Sequence, residues 1–307
     1  MISKQHAIIG LVLLFSPLSI FGQQTALFSE YNYNPMVINS AYTGMGNGAE
    51  VTLSNYSFSN DIVGSPKHLS LNFHTPISNR KMGIGAAISR DEIGVTTSTN
   101  AYVAYSYRVF FDHKSNRPNW QIYHQHVLSF GLTAGIDQYQ ENLVDLGISD
   151  DPLFAENINE TIPTIGVGFL YNRRNFYVGV SAPNILGDRL ASLDNVKLSN
   201  PVYGYMGYSF LLNKFDKIII KPNILLKHEQ GAPMQIDLNL ATSFENKFEV
   251  GIGYRSTTSV NFMAGIYLFK HFRFIYQYNV GFKDSLLGNG HGMVLSYIIL
   301  PKFRTGN

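Results

Sequence analysis

The feature that most constrains this chain is a long series of short segments in which apolar and polar residues alternate. Between residues 49 and 300 these segments follow one another almost without a break. In the segment 127–138, for example, Leu128 and Phe130 fall on one face and Ser129 falls on the other. A period of two places alternate side chains on opposite faces of a β-strand. The chain is therefore predicted to be all-β, with one apolar and one polar face.

Fourteen strands are predicted from this pattern. Their ranges are 49–58, 66–76, 81–90, 97–111, 126–139, 162–172, 175–183, 201–213, 216–229, 233–244, 247–257, 259–269, 271–283 and 290–300. The connections between them alternate in length. Tight turns are predicted at 78–80, 172–174, 214–215, 245–246 and 270, and longer linkers at 59–65, 91–96, 140–161, 184–200, 230–232 and 284–289. Outer-membrane barrels have short periplasmic turns and longer extracellular loops. The long connection 112–125 departs from this rule, because it falls on the side of the tight turns.

Composition bears on what surrounds the apolar face. Charged residues make up 14% of the chain, against about 25% in a typical soluble domain. Aromatic residues make up 13%, with many near predicted strand ends, as expected for the aromatic girdles of a membrane barrel. A soluble sandwich, barrel or propeller would alternate in the same way, although no repeat of about 40 residues marks a propeller. The pattern favours an outer-membrane β-barrel of about fourteen antiparallel strands. The lipid bilayer is then one of its expected partners.

Three regions are predicted along the chain. Residues 1–22 have a short positive start and an apolar stretch, which is typical of a secretory signal peptide. Residues 23–48 do not alternate and contain turn-forming Asn, Pro and Gly, so they are predicted to tuck into the barrel lumen or to lie across its periplasmic mouth. Residues 49–307 form the predicted barrel. After residue 22 no run of 18 apolar residues follows, so no transmembrane helix is expected.

Several kinds of chemistry are excluded or disfavoured. The net charge of +2 and the lack of a basic run argue against nucleic acid as a partner, and the absence of cysteine rules out thiol and thiolate chemistry. His113, His124 and His126 suggest a metal site, but an exposed polar turn is the simpler interpretation. The acidic residues between 145 and 156 suggest calcium, although a solvated loop explains them as well. No Gly-x-Ser-x-Gly motif occurs. We therefore expect no enzyme activity, no cofactor and no metal.

Three motifs follow one another directly after the predicted signal peptide. They are Phe-Ser-Glu-Tyr at 28–31, Asn-Pro at 34–35 and Asn-Ser-Ala-Tyr-Thr-Gly at 39–44. In this order they resemble the opening of the PorP/SprF family, outer-membrane proteins of the type IX secretion system in Bacteroidetes. The usual family form of the third motif is Asn-Pro-Ala-Tyr-Ala-Gly, so Ser40 and Thr43 depart from it. Further similarity lies at 75–85 and 177–184, and the length agrees over the whole mature chain.

The resemblance, rather than the composition, implies a function. It implies a non-enzymatic outer-membrane component of the type IX system that assists secretion or surface attachment of cargo proteins such as gliding adhesins. The expected partners are the C-terminal domain of a secreted cargo protein and other components of the machinery. The residues expected to contact a partner share the N-terminal motifs; they are Phe28, Tyr31, Asn34, Pro35, Asn39 and Tyr42. The alternatives are an outer-membrane pore or hydrophobic-ligand transporter, and an outer-membrane lipid enzyme.

Overall fold

The structure is a computed structural model of the chain. It describes residues 29–46, 48–58, 64–77, 80–111, 126–148, 151, 154–173, 175–186, 200–212, 218–256, 258–269, 271–282 and 288–299. Within these ranges no helix is long and apolar enough to span a bilayer. The predicted signal peptide and the connection 112–125 lie outside the described residues.

Strands account for most of the described chain. They are β1 (Ala49–Phe58), β2 (Lys67–Ile77), β3 (Met82–Ile93), β4 (Thr96–Phe111), β5 (His126–Glu141), β6 (Ile158–Arg173), β7 (Phe176–Ala182), β8 (Val202–Tyr208), β9 (Phe210–Leu211), β10 (Ile218–His228), β11 (Gln235–Phe244), β12 (Phe248–Arg255), β13 (Ser259–Leu268), β14 (Phe272–Gly281) and β15 (Gly290–Ile299). The helical elements are all short 3-10 helices, at Ser29–Asn32, Pro35–Val37, Ser40–Tyr42 and Leu143–Leu146.

The strands form one closed antiparallel sheet. Each strand pairs with its neighbours in chain order, and β1 pairs with β15 over ten residues, from Ala49 opposite Ile299 to Phe58 opposite Gly290. Both β8 and β9 pair with β10, so they share one position and the wall has fourteen strands. The predicted fold and strand number are therefore confirmed. Closure leaves no unpaired sheet edge at the seam, which a barrel in lipid requires.

The predicted strand 201–213 is interrupted at Ser209. The pairing of β8 with β10 ends at Gly207 opposite Asn223, and the pairing of β9 begins at Phe210 opposite Ile220. Pro222 lies between these two stretches on β10. Proline has no backbone N–H to give to a ladder. The missing donor explains why the strand is divided here without a change of register.

Two predicted connections are shorter than expected. The predicted linker 91–96 is wrong, because β3 continues to Ile93 and only Gly94 and Val95 form the turn. Its charged residues belong to the strand: Asp91 faces the lumen and Glu92 faces outward. The predicted linker 140–161 shrinks in the same way, because β5 and β6 extend to 16 residues each.

The two ends of the barrel need names. We call the end where β1 begins and β15 ends the terminal end, and the opposite end the loop end. The tight turns 245–247 and 174–175 lie at the terminal end, and the longest connections, 142–157 and 183–201, lie at the loop end. However, the two-residue turn after β3 also lies at the loop end. The alternation of lengths therefore holds only in part.

The two faces of the wall differ in chemistry. Outward positions carry exposed apolar side chains, such as Val103, Phe130 and Leu132. Inward positions carry buried polar groups, including Thr52, Ser54, Asn72, Asn261, Gln277 and Asn279. Apolar groups outside and polar groups inside are the reverse of a soluble protein and match a barrel in lipid. The burial pattern is thus consistent with the prediction that lipid surrounds the apolar face.

A charge on the outer face is expected to be costly only within the apolar band. Leu132 lies in the middle of the outward row Leu128–Ile136 of β5 and is 57% exposed. We predict that Leu132→Arg lowers the free energy of unfolding in liposomes by about 2–4 kcal/mol. Gln138→Arg, on the same face of β5 but beyond the apolar row, is the matched control and should cost far less. Equal unfolding midpoints in urea for the two variants would contradict a lipid-facing band.

Candidate functional site: the lumenal segment

Residues 29–46, which we call the lumenal segment, run through the inside of the barrel from one end to the other. Glu30 contacts His68, the second residue of β2 at the loop end. Thr43 contacts Ser106 in the half of β4 nearer the terminal end. From there the chain continues into β1 at Ala49. The segment therefore enters the described part of the lumen near the loop end and leaves it at the terminal end.

Local sequence explains why this segment is compact but not a regular helix. Pro35 begins the second 3-10 helix, where its fixed φ is favourable and its missing N–H costs nothing. Asn39 precedes the third, and its side-chain oxygen accepts a hydrogen bond of 2.8 Å from the backbone N–H of Ala41. Each helix is only three or four residues long. The segment thus folds as a chain of caps and turns, as its Asn, Ser and Pro content predicts.

The wall approaches the segment closely because it carries glycine at the contact. A Cβ atom at Gly131 of β5 would lie 2.1 Å from the backbone nitrogen of Ala41. A Cβ atom at Gly168 of β6 would lie 2.0 Å from the side-chain oxygen of Asn39. Backbone atoms do not tolerate such a distance, so only glycine fits at position 131. A side chain at position 168 would displace the side chain of Asn39. Glycine at these two positions therefore lets the wall pack closely against the lumenal segment.

Wall hydroxyl groups satisfy the backbone carbonyls of the segment. The Oγ atoms of Ser181, Ser129 and Ser106 donate to the carbonyl oxygens of Ile38, Ala41 and Thr43 at 2.6, 2.6 and 2.7 Å. These serines belong to β7, β5 and β4, and all three are buried. Buried carbonyls without a partner are costly. The serines therefore replace the water that would otherwise be needed to solvate the segment.

Apolar side chains of the segment pack in separate groups against different parts of the wall. Tyr31, Ile38 and Ala41 belong to a cluster with Leu170, Tyr203, Tyr205 and Leu225. Tyr33 packs with Met263, Ile275 and Val294 on the opposite side of the lumen. Met36 packs with Ala87 and Ala104. Because the contacts surround the segment, its position is set from several directions at once.

An ionic group fixes the segment near the loop end. Glu30 accepts from the Nε2 atom of His68 at 2.9 Å and from the hydroxyl of Ser70 at 3.1 Å. The Nδ1 atom of His68 lies 2.7 Å from Asp91 on β3. An imidazole donates to two carboxylates only in its protonated form. Burial by itself raises the pKa of the Glu30 carboxyl, but the charge and hydrogen bond of His68, with hydrogen bonds from Ser54 and Ser70, bring that pKa below its ordinary value.

A second polar group ties Tyr31 to the wall. Its hydroxyl donates to Asp237 at 3.0 Å and accepts from the amide of Asn239 at 2.9 Å. Asp237 in turn receives three hydrogen bonds from the guanidinium of Arg255, the shortest at 2.7 Å. Burial, followed by the Asp237 charge, raises the pKa of Tyr31 well above its ordinary value, so the hydroxyl stays a donor. The interaction gives a buried carboxylate a complete set of partners.

Opposite charges pair between strands on the inner face of the barrel wall. Asp237 and Arg255 do so, on β11 and β12. Glu249 pairs with Lys221 at 2.7 Å. Arg273 pairs with Glu50 at 2.7 Å and also donates to the backbone oxygen of Tyr33. Among the described residues, the lumen therefore contains a network of ion pairs and hydrogen bonds that includes the lumenal segment.

The structure brings together most of the residues expected to contact a partner. Tyr31, Asn34 and Asn39 are buried in the lumen, and Pro35 and Tyr42 are half-buried beside them. Phe28 lies outside the described residues. In this structure the five described residues belong to the segment that fills the barrel, so their role toward a partner stays a prediction.

Sequence reasoning missed the residues that hold the segment in place. Glu30 lies inside the Phe-Ser-Glu-Tyr motif, but its partner His68 is 38 residues away in the chain, so the motif does not indicate the contact. The contacts of Ser129 and Ser181 with the segment could not be predicted either, because serine is a common residue on the polar face of any strand. The alternation of polar and apolar residues along the strands predicts a polar inner face of the barrel. It does not indicate what fills the lumen.

In the part of the chain that the structure describes, no group of three or more His, Asp or Glu side chains is arranged so that it could hold a metal ion. His126 contacts the hydroxyl of Tyr171 at 3.1 Å. His113 and His124 lie outside the described residues. A small cavity of about 30 Å³ remains between the segment and the wall. It is lined by Tyr31, Asn32, Pro35, Ile38, Tyr177, Tyr205, Asn223 and Ile224. The described arrangement is suited to holding the segment rather than to binding a large ligand.

Close packing at glycine predicts a selective effect of added side-chain volume. Gly131→Val should lower the free energy of unfolding by about 1–3 kcal/mol, because its Cβ would overlap the backbone of the lumenal segment. Gly204→Val is the matched control, since a Cβ at Gly204 meets no atom within 4 Å. Unfolding midpoints and protease cleavage of the segment measure the effect. Equal behaviour of the two variants would show that the segment is not packed on β5.

The lowered pKa of Glu30 predicts an acid-sensitive contribution to stability. A carboxyl with a lowered pKa in the folded state stabilises the fold above its unfolded pKa of about 4.5, and this stabilisation is lost as the pH falls through the folded value. Glu30→Gln should cost about 3–5 kcal/mol at pH 7, because it breaks a buried pair. Below pH 4.5 the difference from wild type should shrink.

The control for this measurement is Glu245→Gln, which removes an exposed carboxylate paired with Lys247 in the turn after β11. This variant should change the free energy of unfolding by less than about 1 kcal/mol at any pH. Urea titrations between pH 3 and pH 7 compare the three proteins. If Glu30→Gln kept a constant deficit across that range, the ionised carboxylate would not be the stabilising form.

Solved structures of outer-membrane proteins share this architecture at very low sequence identity. The CymD monoaromatic hydrocarbon channel superposes with a TM-score of 0.51 at 11% identity, covering 92% of this chain and 95% of that one. The outer membrane protein Omp33 of Acinetobacter baumannii gives a TM-score of 0.47 at 7% identity, covering 84% and 100% of the two chains. The toluene transporter TbuX of Ralstonia pickettii gives 0.45 at 9% identity, covering 86% and 93%. At such identities the likeness concerns the fold alone.

No curated protein sequence matches the chain. A family model does: the model of the type IX secretion system membrane protein PorP/SprF matches residues 20–297. The match includes all fourteen strands of the wall and the lumenal segment, so it extends well beyond the N-terminal motifs. Together with the closed barrel, it places the protein in the outer membrane. The chain belongs to the PorP/SprF family of type IX secretion system membrane proteins.

Proposed function

We propose that this barrel is a non-enzymatic component of the type IX secretion system that assists secretion or surface attachment of cargo proteins, including adhesins used in gliding. The family membership supports a role in the machinery. The observation that carries the proposal is the lumenal segment, which occupies the barrel from the loop end to the terminal end. A barrel filled by its own chain offers other proteins its end surfaces rather than a wide passage.

The attachment of the segment supports a permanent filling. Hydrogen bonds reach it from β4, β5 and β7, and an ionic group holds Glu30 to β2. Removing the segment would leave these inward polar groups without partners at the same time. A cargo domain is therefore expected to bind outside the lumen, at the connections 142–157 and 183–201 of the loop end or at the terminal end. The motif residues Tyr31, Asn34, Pro35, Asn39 and Tyr42 would then act by shaping the filled barrel.

The alternative is a pore or a transporter for hydrophobic ligands. The likeness of the fold to the CymD channel favours it, since that protein is a channel with a wall of similar shape. The filled lumen argues against it. Purified protein in planar bilayers separates the two: the proposal expects no steady conductance from the wild type, whereas an open channel conducts without any change to the segment.

Deletion of the gene tests the role in secretion directly. We expect one or more large surface proteins with a type IX C-terminal domain to disappear from the cell surface and to accumulate in the periplasm or be lost to the medium. Wild-type barrel supplied from a plasmid should restore them. Gly131→Val should restore them poorly, whereas Gly204→Val should restore them fully at equal barrel levels. Unchanged surface proteins in the deletion strain would overturn the proposal.

The proposal also includes export of the protein and its binding partners. Residues 1–22 would be removed as a signal peptide on export to the outer membrane of a member of the Bacteroidetes. Mass determination of the barrel purified from outer membranes checks the cleavage position. Affinity purification from the same membranes identifies the cargo and the machinery components that remain bound.

A further inference from the structure

Charged side chains gather at one place on the outer face of the wall. Register places Lys67 of β2 opposite Ser57 of β1 and Glu92 of β3, and Ser57 lies opposite His291 of β15. One step toward the terminal end, Arg90 of β3 lies opposite Leu69 of β2. These side chains all face away from the lumen, because the positions between them on the same strands are the inward ones. We call Lys67, Arg90, Glu92 and His291 the rim patch.

The rim patch lies at the loop-end border of the apolar band. On β2, the outward residues that follow Lys67 are Leu69, Leu71 and Phe73, all exposed. On β3, the outward residue next to Arg90 is Ile88, which is also exposed. Lipid tails therefore cover the wall up to these apolar residues, and the patch lies one residue pair beyond them. That is the level of the lipid headgroups.

The patch is local rather than part of a charged ring. On the outward positions of the strands that the structure describes, Lys67 and Arg90 are the only lysine and arginine in the loop-end half of the wall. The corresponding positions of the long strands β4, β5 and β6 carry neutral Thr, Gln and Asn. A general preference for charge at the water boundary would distribute such residues around the barrel. Because these residues are grouped on neighbouring strands, a ligand for them would interact with this part of the wall alone.

The chemistry of the patch suits a phosphate group. Arg90 donates from Nε to Glu92 at 2.8 Å, and its side chain is 56% exposed, so the guanidinium remains accessible to an anion. Lys67 has no ionic partner among the described residues. Lys67 and Arg90 are diagonal neighbours on adjacent strands, about 7–8 Å apart, so their long side chains can reach the same oxyanion. Glu92 cancels one of the two charges, which leaves room for one anion rather than several.

Aromatic residues flank the patch on its other side. Tyr278 lies opposite His291 with the ring centroids 5.4 Å apart, and the hydroxyl of Tyr276 lies 2.9 Å from the Nδ1 atom of His291. Tyrosine side chains are enriched where the membrane meets water, because the ring contacts tails and the hydroxyl contacts headgroups. The surface thus combines a cationic centre with an interfacial aromatic border.

We propose that the rim patch is a binding site for the phosphate of a membrane lipid in the leaflet on the loop-end side, held by Lys67 and Arg90. This site is separate from the lumenal segment and does not depend on the proposed role in secretion. Each basic side chain near a membrane surface strengthens the binding of anionic lipid by several-fold. Loss of both charges is therefore expected to weaken retention of a phosphorylated lipid by roughly tenfold or more.

Native mass spectrometry of the full-length mature protein in detergent tests the proposal. The probes are bisphosphorylated lipid A, the same lipid without phosphates, and inorganic phosphate alone. The test variant is Lys67→Gln with Arg90→Gln. The control is Arg173→Gln, which removes an exposed outward charge at the terminal end of β6. Circular dichroism melting verifies that all variants remain folded.

We expect the wild type and the control to retain bisphosphorylated lipid A equally, the double variant to retain it roughly tenfold less, and the dephosphorylated lipid to bind weakly to all three. Equal retention by the double variant and the wild type would overturn the proposal. Equal binding of the lipid with and without phosphates would overturn it as well. Binding of inorganic phosphate alone, without retention of the lipid, would show that a membrane lipid is not the ligand.

Discussion

The structure depends on one constraint, which is that a backbone in contact with lipid tails must form all its hydrogen bonds internally. A sheet meets this requirement only if its first and last strands pair, and β1 and β15 do so along ten residues. Closure determines which side chains meet lipid, since alternate residues then face outward around the whole wall. It also creates an enclosed interior lined by the remaining residues. The apolar outside and the polar inside both follow from this pairing.

The interior creates a second requirement, because a narrow polar lumen must be filled either by water or by protein. Here the chain supplies the filling from its own N-terminal region. Glu30, Tyr31 and the carbonyls of Ile38, Ala41 and Thr43 are the partners of inward polar groups from many strands. The wall and the segment thus satisfy many of each other's buried polar groups. For a secretion component, this arrangement gives rigid end surfaces on a membrane anchor.

The wall was predictable from the sequence, whereas the way the lumen is filled was not. Strand number and strand faces follow from a local pattern of period two, which Leu128 and Ser129 show as well as any pair. The end of β3 is not visible in the sequence, because Asp91 and Glu92 look like loop residues when their partners are unknown. The bond between Glu30 and His68 depends on a register that alternation does not specify. The role of Gly131 is equally hidden, since close approach is visible only when the approaching backbone is known.

The path of the lumenal segment has a consequence for biogenesis. The segment is synthesised before every strand that surrounds it, whereas the seam needs the final strand, so the first and last parts of the chain meet only when translation is complete. Curling the wall around a segment already in place creates its contacts with β4 to β7 and with β11 as the sheet bends. Such a topology is dominated by contacts between distant residues, which slows folding. The nascent protein must therefore be kept from aggregating before the sheet closes around the segment.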